Sequence, residues 1–232
     1  MSGTLAVSPV GDELLDDPAA DPRTVEASLR DIAVANRWLG GTRAALHGLG
    51  RVTAGLPAGS RLTLLDIGTG RGDVPRAAVR WGRRRGLDVV PLALELSTVA
   101  AGLARRAGVA TAVADVAAPP VADGSVDVVL LSQVAHHFAH GSLGQLACGA
   151  GRLARRGVVI ADLRRSELAA LGFRLGARVL GFDPVTRLDG VTSIRRGFSP
   201  GELRELLAAA GVPARVERRP GFRLVASWRT GD

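Results

Sequence analysis

The chain contains no lysine and no tyrosine, one asparagine (Asn36), one methionine and one cysteine (Cys148) in 232 residues. A single thiol excludes an intrachain disulfide, and a Cys/His zinc cluster would need more ligands than the sequence offers. Cys148, within "LGQLACGAGRL", reads as a small buried apolar residue of a helix. No apolar run approaches the roughly 18 residues of a membrane helix. The first residues, "MSGTLAVSPVGDELLDD", lack a basic leader followed by a long apolar core. A cytoplasmic protein without membrane association is therefore expected. Aromatic residues make up 3%, too few to build stacking platforms for single-stranded nucleic acid.

What is abundant is arginine, alanine and glycine. The formal charge is +8 and the pI about 11.4. The arginines are scattered in "WGRRRG", "LARRG", "DLRRS", "SIRRG" and "ERRPG", mostly at the ends of elements, where helix C-termini favour cations. With lysine absent, this pattern reads as a coding bias and a solvated basic surface. No nucleic-acid partner is expected from it. Hydrophobic content of 47% supports a folded chain with a sizeable core.

Residues 1–21 are rich in Gly, Pro and Asp and read as a flexible tail, with a short turn at "DELLDD". Two helical patterns follow, from Thr24 to Leu39 and, after Gly40 and Gly41, in "TRAALHGLGRVTAGL". Together they suggest an N-terminal helical cap over residues 22–58. From residue 59 a regular alternation begins. Strands are expected at "RLTLLDI", "DVVPLALEL", "ATAVADV", "SVDVVLLSQ" and "VVIADL". Helices are expected between them, the one in "SLGQLACGAGRLARRG" running up to the last of these strands. A helix in "RRSELAALGFRLGARVLG" and a loop through "FDPVTRLDGVTSIRRGF" form an insertion at about 164–197. A capped helix, "SPGELRELLAAAG", and a hairpin of "ARVERR" and "FRLVASWR" close the chain. This order implies an α/β fold, a doubly wound, mostly parallel seven-stranded sheet with an antiparallel C-terminal hairpin. Ligands of such sheets bind at the carboxyl ends of the strands.

The first strand runs into "DIGTGRGD". A dinucleotide motif wants glycine where Asp73 stands, and a phosphate-binding P-loop ends in G-K-[ST]. The turn therefore suits a ligand that comes close to the backbone and tolerates carboxylates. Glu95 follows the second strand at a spacing that suits ribose hydroxyls. Asp115 follows the third, where a carboxylate can accept from an exocyclic amine. An ammonium, a ribose and an adenine without phosphate are found together in S-adenosylmethionine.

"LLDIGTGRGD", "LALELS", "AVADV", "DGSVDVVLLSQVAHHF" and "GVVIADL" resemble, in order and spacing, the motifs of class I S-adenosylmethionine-dependent methyltransferases. The resemblance covers roughly residues 60–230. It implies a Rossmann-like αβα sandwich and makes residues 59–232 the S-adenosylmethionine-binding domain, with S-adenosylhomocysteine as product. It implies that Gly68, Thr69 and Gly70 line the methionine part of the cofactor and that Asp66 orients the ammonium. Glu95 would hold the ribose, Leu96 pack on the adenine, and Asp115 and Val116 bind its amine edge. Ser132 and Gln133 would lie beside the cofactor. The proline–glycine turn usual before the fifth strand is replaced by "ARRG".

Methyl transfer mainly requires alignment of a nucleophile, and an oxygen nucleophile also needs a base. Three of the four histidines fall in "VAHHFAH", and His137 is the candidate general base. The neighbours His136 and His140 are not expected to share its direction, so no metal site is expected. Asn36 and Arg43 are candidates to touch cofactor or substrate, Arg43 by pairing with the methionine carboxylate. "NRWLGGTRA" and "TRLDGVTSIRRGFSPGEL" resemble bacterial methyltransferases of polyketide or quinone pathways. That resemblance implies a phenolic, secondary-metabolite acceptor methylated on oxygen by a monomer or homodimer. The alternatives are carbon or nitrogen methylation, an RNA or protein methyltransferase, and a binding protein without turnover.

Overall fold

The computed structural model describes residues 6, 9–11, 13–17 and 19–231. Seven strands form one sheet: β1 (Arg61–Ile67), β2 (Asp88–Glu95), β3 (Ala110–Val113), β4 (Val126–Ser132), β5 (Ala154–Leu163), β6 (Arg215–Arg219) and β7 (Arg223–Arg229). Their order is β3-β2-β1-β4-β5-β7-β6. The first five are parallel, and β7 lies antiparallel between β5 and β6. The helices are α1 (Pro22–Trp38), α2 (Gly41–Val52), α3 (Asp73–Arg83), α4 (Thr98–Arg106), α5 (His140–Leu153), α6 (Glu167–Val179), α7 (Pro184–Arg196) and α8 (Pro200–Ala209). No described helix is long and apolar enough to cross a membrane.

Strand alternation divides the core in two. Leu62, Leu64, Val128, Leu130, Val159 and Val225 face α2 and α3, where Leu49, Val52, Val74 and Trp81 complete one layer. Leu65, Ile67, Val129, Leu131, Ile160 and Leu224 face α5 and α8, against Leu143, Leu146, Leu203 and Leu207. The β4 core is apolar on both faces, as a central parallel strand requires.

Five sequence expectations are corrected. The helical cap divides: α1 lines the strand ends, whereas α2 lies on the sheet against β5 and β7. Gly48 allows that approach, because a Cβ there would fall 2.3 Å from Val159 Cγ1. "ARRG" is not a turn; α5 ends at Leu153 and β5 begins at Ala154, with a register shift opposite Val126/Val128 on β4. The stretch expected as a loop after Phe182 is α7, started by Asp183, whose side chain accepts from Val185 N–H, and by Pro184 in its first turn. Its β-branched residues and central Gly190 hide the helical pattern. Residues 9–11 and 13–17, expected as part of a flexible tail, are docked on α7 and include a short 3-10 turn at Leu14–Asp16. Cys148 is exposed on α5.

Candidate functional site

The carboxyl ends of β1, β2, β3 and β4 open on one cavity of about 1030 Å³. At its floor β1 delivers Asp66, after which the chain turns through Gly68, Gly70 and Gly72, all at positive φ. A Cβ on Gly68 would lie 2.4 Å from Val134 Cγ2, so the turn can press against the loop after β4 only as glycine. The Gly70 N–H donates to Glu95 Oε2 at 2.8 Å and the Ser97 N–H to Glu95 Oε1 at 3.0 Å. The end of β2 is thereby tied to the turn after β1.

Asp66 is buried, and its Oδ1 has no hydrogen-bond partner among the described residues; nor do the Thr69 and Ser132 hydroxyls. Burial pushes the Asp66 carboxyl up to about 8; the nearby Thr69 hydroxyl, though outside hydrogen-bond geometry, opposes the rise, and the charges of Asp73 and Glu95 add to it. Burial also raises Asp73 and Glu95. Unsatisfied buried acceptors are rare in finished cores and common where a ligand completes the hydrogen bonding. Beyond Glu95, the Leu96 side chain is 69% exposed on the cavity wall, which Val116 also lines. Asp115 accepts from the Ala117 N–H at 2.8 Å, which fixes the loop after β3.

These groups fit S-adenosylmethionine. Asp66 Oδ1 needs a donor such as the ammonium, Glu95 keeps lone pairs for a ribose diol, and Leu96 and Val116 offer apolar surface to an adenine. Every expected cofactor residue except Arg43 lines the cavity: Asp66, Gly68, Thr69, Gly70, Glu95, Leu96, Asp115, Val116, Ser132 and Gln133. Arg43 is exposed on α2 and does not line it, because Gly41 begins a helix that turns onto the sheet. Asn36 does line it. Gln133, at φ 57°, donates from Nε2 to Asn36 Oδ1 and accepts on Oε1 from Arg223 Nη1 at 2.7 Å. Arg223 is buried, which lowers its guanidinium to about 10 against the opposing charge of Asp162.

The histidines separate. His140 lies 3.4 Å from Glu202 Oε1, away from the cavity. His136 and His137, on the 3-10 turn Ala135–His137, both line it, with ring centroids 4.4 Å apart. His136 is buried: Nδ1 is 2.6 Å from Asp162 Oδ1, and Nε2 is 3.8 Å from Glu13 Oε1. His137 Nε2 is 4.0 Å from Glu13 Oε2. Burial raises the Asp162 carboxyl, but the charge and hydrogen bond of His136 outweigh it and hold the group below its ordinary range.

Glu13 arrives on the docked segment. Asp189 accepts from the Leu14 and Leu15 N–H groups, both at 3.0 Å. The buried Arg196 donates to Val10 O at 2.8 Å, to Gly11 O, and to Glu13 Oε1 at 3.0 Å. Sequence inspection missed Glu13, Asp162, Arg196 and Arg223, whose roles depend on contacts across 26 to 186 residues. The apolar pair inside "DELLDD" was the only local sign that the first of these would dock. Leu29, Ile32, Leu168, Phe173 and Ile194 form the apolar wall of the same cavity.

Residues 65–161 match the methyltransferase domain family. No curated protein sequence matches the chain. Among solved structures, the chain is similar to human N-acetylserotonin methyltransferase in complex with SAM, at 14% identity and a TM-score of 0.60, covering 94% of this chain and 58% of that one. It is similar to an Aquifex aeolicus SAM-dependent methyltransferase at 17% identity and 0.57, covering 90% and 98%. It is also similar to the Synechocystis magnesium protoporphyrin IX methyltransferase with bound SAH, at 14% and 0.53, covering 83% of each chain.

Proposed function

We propose that this chain, a class I S-adenosylmethionine-dependent methyltransferase by its domain and fold, transfers the methyl group to an oxygen of a phenolic or polyketide-type small molecule. The observation that carries this reading is one cavity lined by two unlike sets of residues. One set is the acids Asp66, Glu95 and Asp115 after β1, β2 and β3. The other is an apolar wall from α1, α6 and α7 together with the polar group Glu13, His136 and His137. Such a wall suits a flat apolar acceptor, and the polar group suits its hydroxyl.

S-adenosylmethionine, when bound, supplies an activated methyl. The chain's residues then have to exclude water, align the acceptor and take its proton. Leu29, Ile32 and Phe173 would exclude water. The imidazole pair after β4, with His137 at its more exposed edge, would take the proton. Neighbours of this fold include a magnesium protoporphyrin IX methyltransferase, a pyocyanin biosynthetic protein and a carbon methyltransferase. They support a small-molecule acceptor without selecting the atom. We infer a cytoplasmic enzyme that needs no nucleic-acid partner and works as a monomer or homodimer.

The test is incubation with methyl-tritiated S-adenosylmethionine and a panel of naphthols, resorcinols and hydroxyquinones. The product is then analysed for methyl ethers against ring-methylated compounds. Methyl ethers are expected. Ring-methylated products alone would move the assignment to carbon transfer.

A further inference from the structure

Arg223 opens β7 and is buried, with 4% of its surface exposed, yet it lines the cavity. A buried charge is ordinarily met by an opposite one. Among the described residues no carboxylate forms an ion pair with this guanidinium. Its Nε donates to Leu39 O at 3.2 Å and its Nη1 to Gln133 Oε1 at 2.7 Å, which leaves three of its five N–H groups without a partner among the described residues. Nη2 is not sealed in the core, so it opens on the cavity. Building on the proposed methylation of a small phenolic molecule, we propose that Arg223 is the binding site for a carboxylate carried by the acceptor, so that the enzyme selects acidic phenols over neutral ones.

The surroundings hold the guanidinium in one orientation. The Gln133 N–H donates to Ala161 O at 2.8 Å and its side-chain amide donates to Asn36 Oδ1, which leaves Oε1 facing Arg223. Asp162 attracts the guanidinium through its charge. Its hydrogen bonds go elsewhere, to the His136 ring and to the His136 and Leu163 N–H groups. Asp162 therefore stabilises the cation from a distance and leaves the open edge of the guanidinium unused. Arg164 also lines the cavity, but it stacks 4.8 Å over the Phe222 ring and is partly exposed, so water meets its charge.

Strand order separates this cation from the cofactor groups. Asp66, Glu95 and Asp115 stand at the ends of β1, β2 and β3, whereas Arg223 begins β7, on the far side of β4 and β5. Three strand spacings of about 4.8 Å set its backbone roughly 14 Å from β1. S-adenosylmethionine carries one carboxylate, on the methionine part that the sequence assigns to Gly68, Thr69 and Gly70. The carboxylate that Arg223 lacks therefore belongs to the acceptor. A planar carboxylate takes two parallel N–H bonds from the open edge, whereas a carboxamide offers one acceptor oxygen and no charge. The carboxylate anchors the ring and takes no part in the making or breaking of bonds.

The experiment titrates hydroxybenzoates and hydroxynaphthoates, with the carboxamides and parent phenols of the same shape, into the protein saturated with S-adenosylhomocysteine, by calorimetry. Wild type should bind at least one carboxylate about tenfold or more tighter than its carboxamide. R223Q, shown to be folded by its Tm, should lose that preference, and R223K should keep part of it. Q133E leaves the guanidinium in place and sets a carboxylate of the protein beside it, so it should lose the preference too. A wild type that binds phenols without preferring any carboxylate would overturn the site whatever the variants do. A preference that survives in R223Q or Q133E would overturn it as well. Weaker S-adenosylhomocysteine binding by R223Q, with the carboxylate preference intact, would assign Arg223 to the cofactor instead. Methyl esters as the products would make the carboxylate the nucleophile and overturn its role as an anchor. Ring-methylated carboxylates would overturn oxygen transfer and leave the Arg223 site standing. A wild type that binds cofactor but no phenol would overturn both.

Discussion

Glu95 Oε2 accepts a hydrogen bond from the Gly70 N–H at 2.8 Å, so the acid at the end of β2 holds the glycine turn at the end of β1. Its second oxygen accepts from the Ser97 N–H. One side chain therefore shapes the turn and lines the cavity.

Replacing Glu95 should cost cofactor affinity by both routes. Glu95→Gln keeps an oxygen for one amide and removes the charge. Glu95→Ala removes everything. Calorimetric titration with S-adenosylmethionine should show roughly a tenfold loss for Gln and a hundredfold loss for Ala, in line with one or two hydrogen bonds to a charged group. Equal affinity in all three proteins would remove Glu95 from the site.

Asp66 makes the cofactor-free protein pH-sensitive. Its carboxyl is raised to about 8 by burial, whereas in the unfolded chain it titrates in the ordinary range. Between those values the folded state holds a proton that the unfolded state has released. Stability therefore falls as pH rises from about 4 through about 8, where the loss is complete. Asp66→Asn should flatten that part of the profile in urea denaturation and weaken cofactor binding. An ammonium that draws out the carboxylate should also release a proton, so binding enthalpy at pH 7 should depend on the buffer's ionisation enthalpy.

The sheet was legible because β1, β2, β4 and β5 are short apolar runs with a polar residue at or beside their ligand-facing ends, and β3 continues their alternation with helices. That the acids Asp66, Glu95 and Asp115 line one cavity could be read for the same reason, since parallel strands carry their ends to one edge. The acceptor side was not legible. α7 has no clear apolar stripe. Glu13 and Arg196 are 183 residues apart, and their ion pair leaves no local pattern. No local pattern pairs His136 with Asp162, 26 residues away in sequence. Arg43 lies outside the cavity because α2 packs on the sheet against β5 and β7.

Gly190, in the middle of α7, is there for packing. A Cβ would lie 2.2 Å from Phe173 Cε1, so α6 and α7 can close on each other only if the position stays bare. Gly190→Ala should destabilise by about 1–3 kcal/mol through overpacking, seen as a Tm lower by roughly 3–10 °C for a chain of this size. Phe173 lines the cavity, so on the proposed function phenol binding should weaken while S-adenosylmethionine affinity is kept. A normal Tm would mean that Phe173 has room to turn away.

Arg196 decides whether the N-terminal segment stays docked. It donates to Val10 O at 2.8 Å and Glu13 Oε1 at 3.0 Å while itself buried. Arg196→Gln would leave a buried carboxylate facing the histidines without its guanidinium, at a cost of about 3–5 kcal/mol if the segment stayed in place. Detachment avoids most of that cost, because the bonds from Asp189 to Leu14 and Leu15 N–H are the main other polar hold seen on α7. The sheet, with its separate core, would be spared. Limited proteolysis should therefore cut the variant ahead of α1 at least about tenfold faster than wild type, with the main unfolding transition little changed. Cofactor affinity should persist, since Asp66 and Glu95 lie outside this network. Equal cleavage rates, with the ion pair removed, would show that the remaining contacts, those of Asp189 among them, suffice to hold the segment.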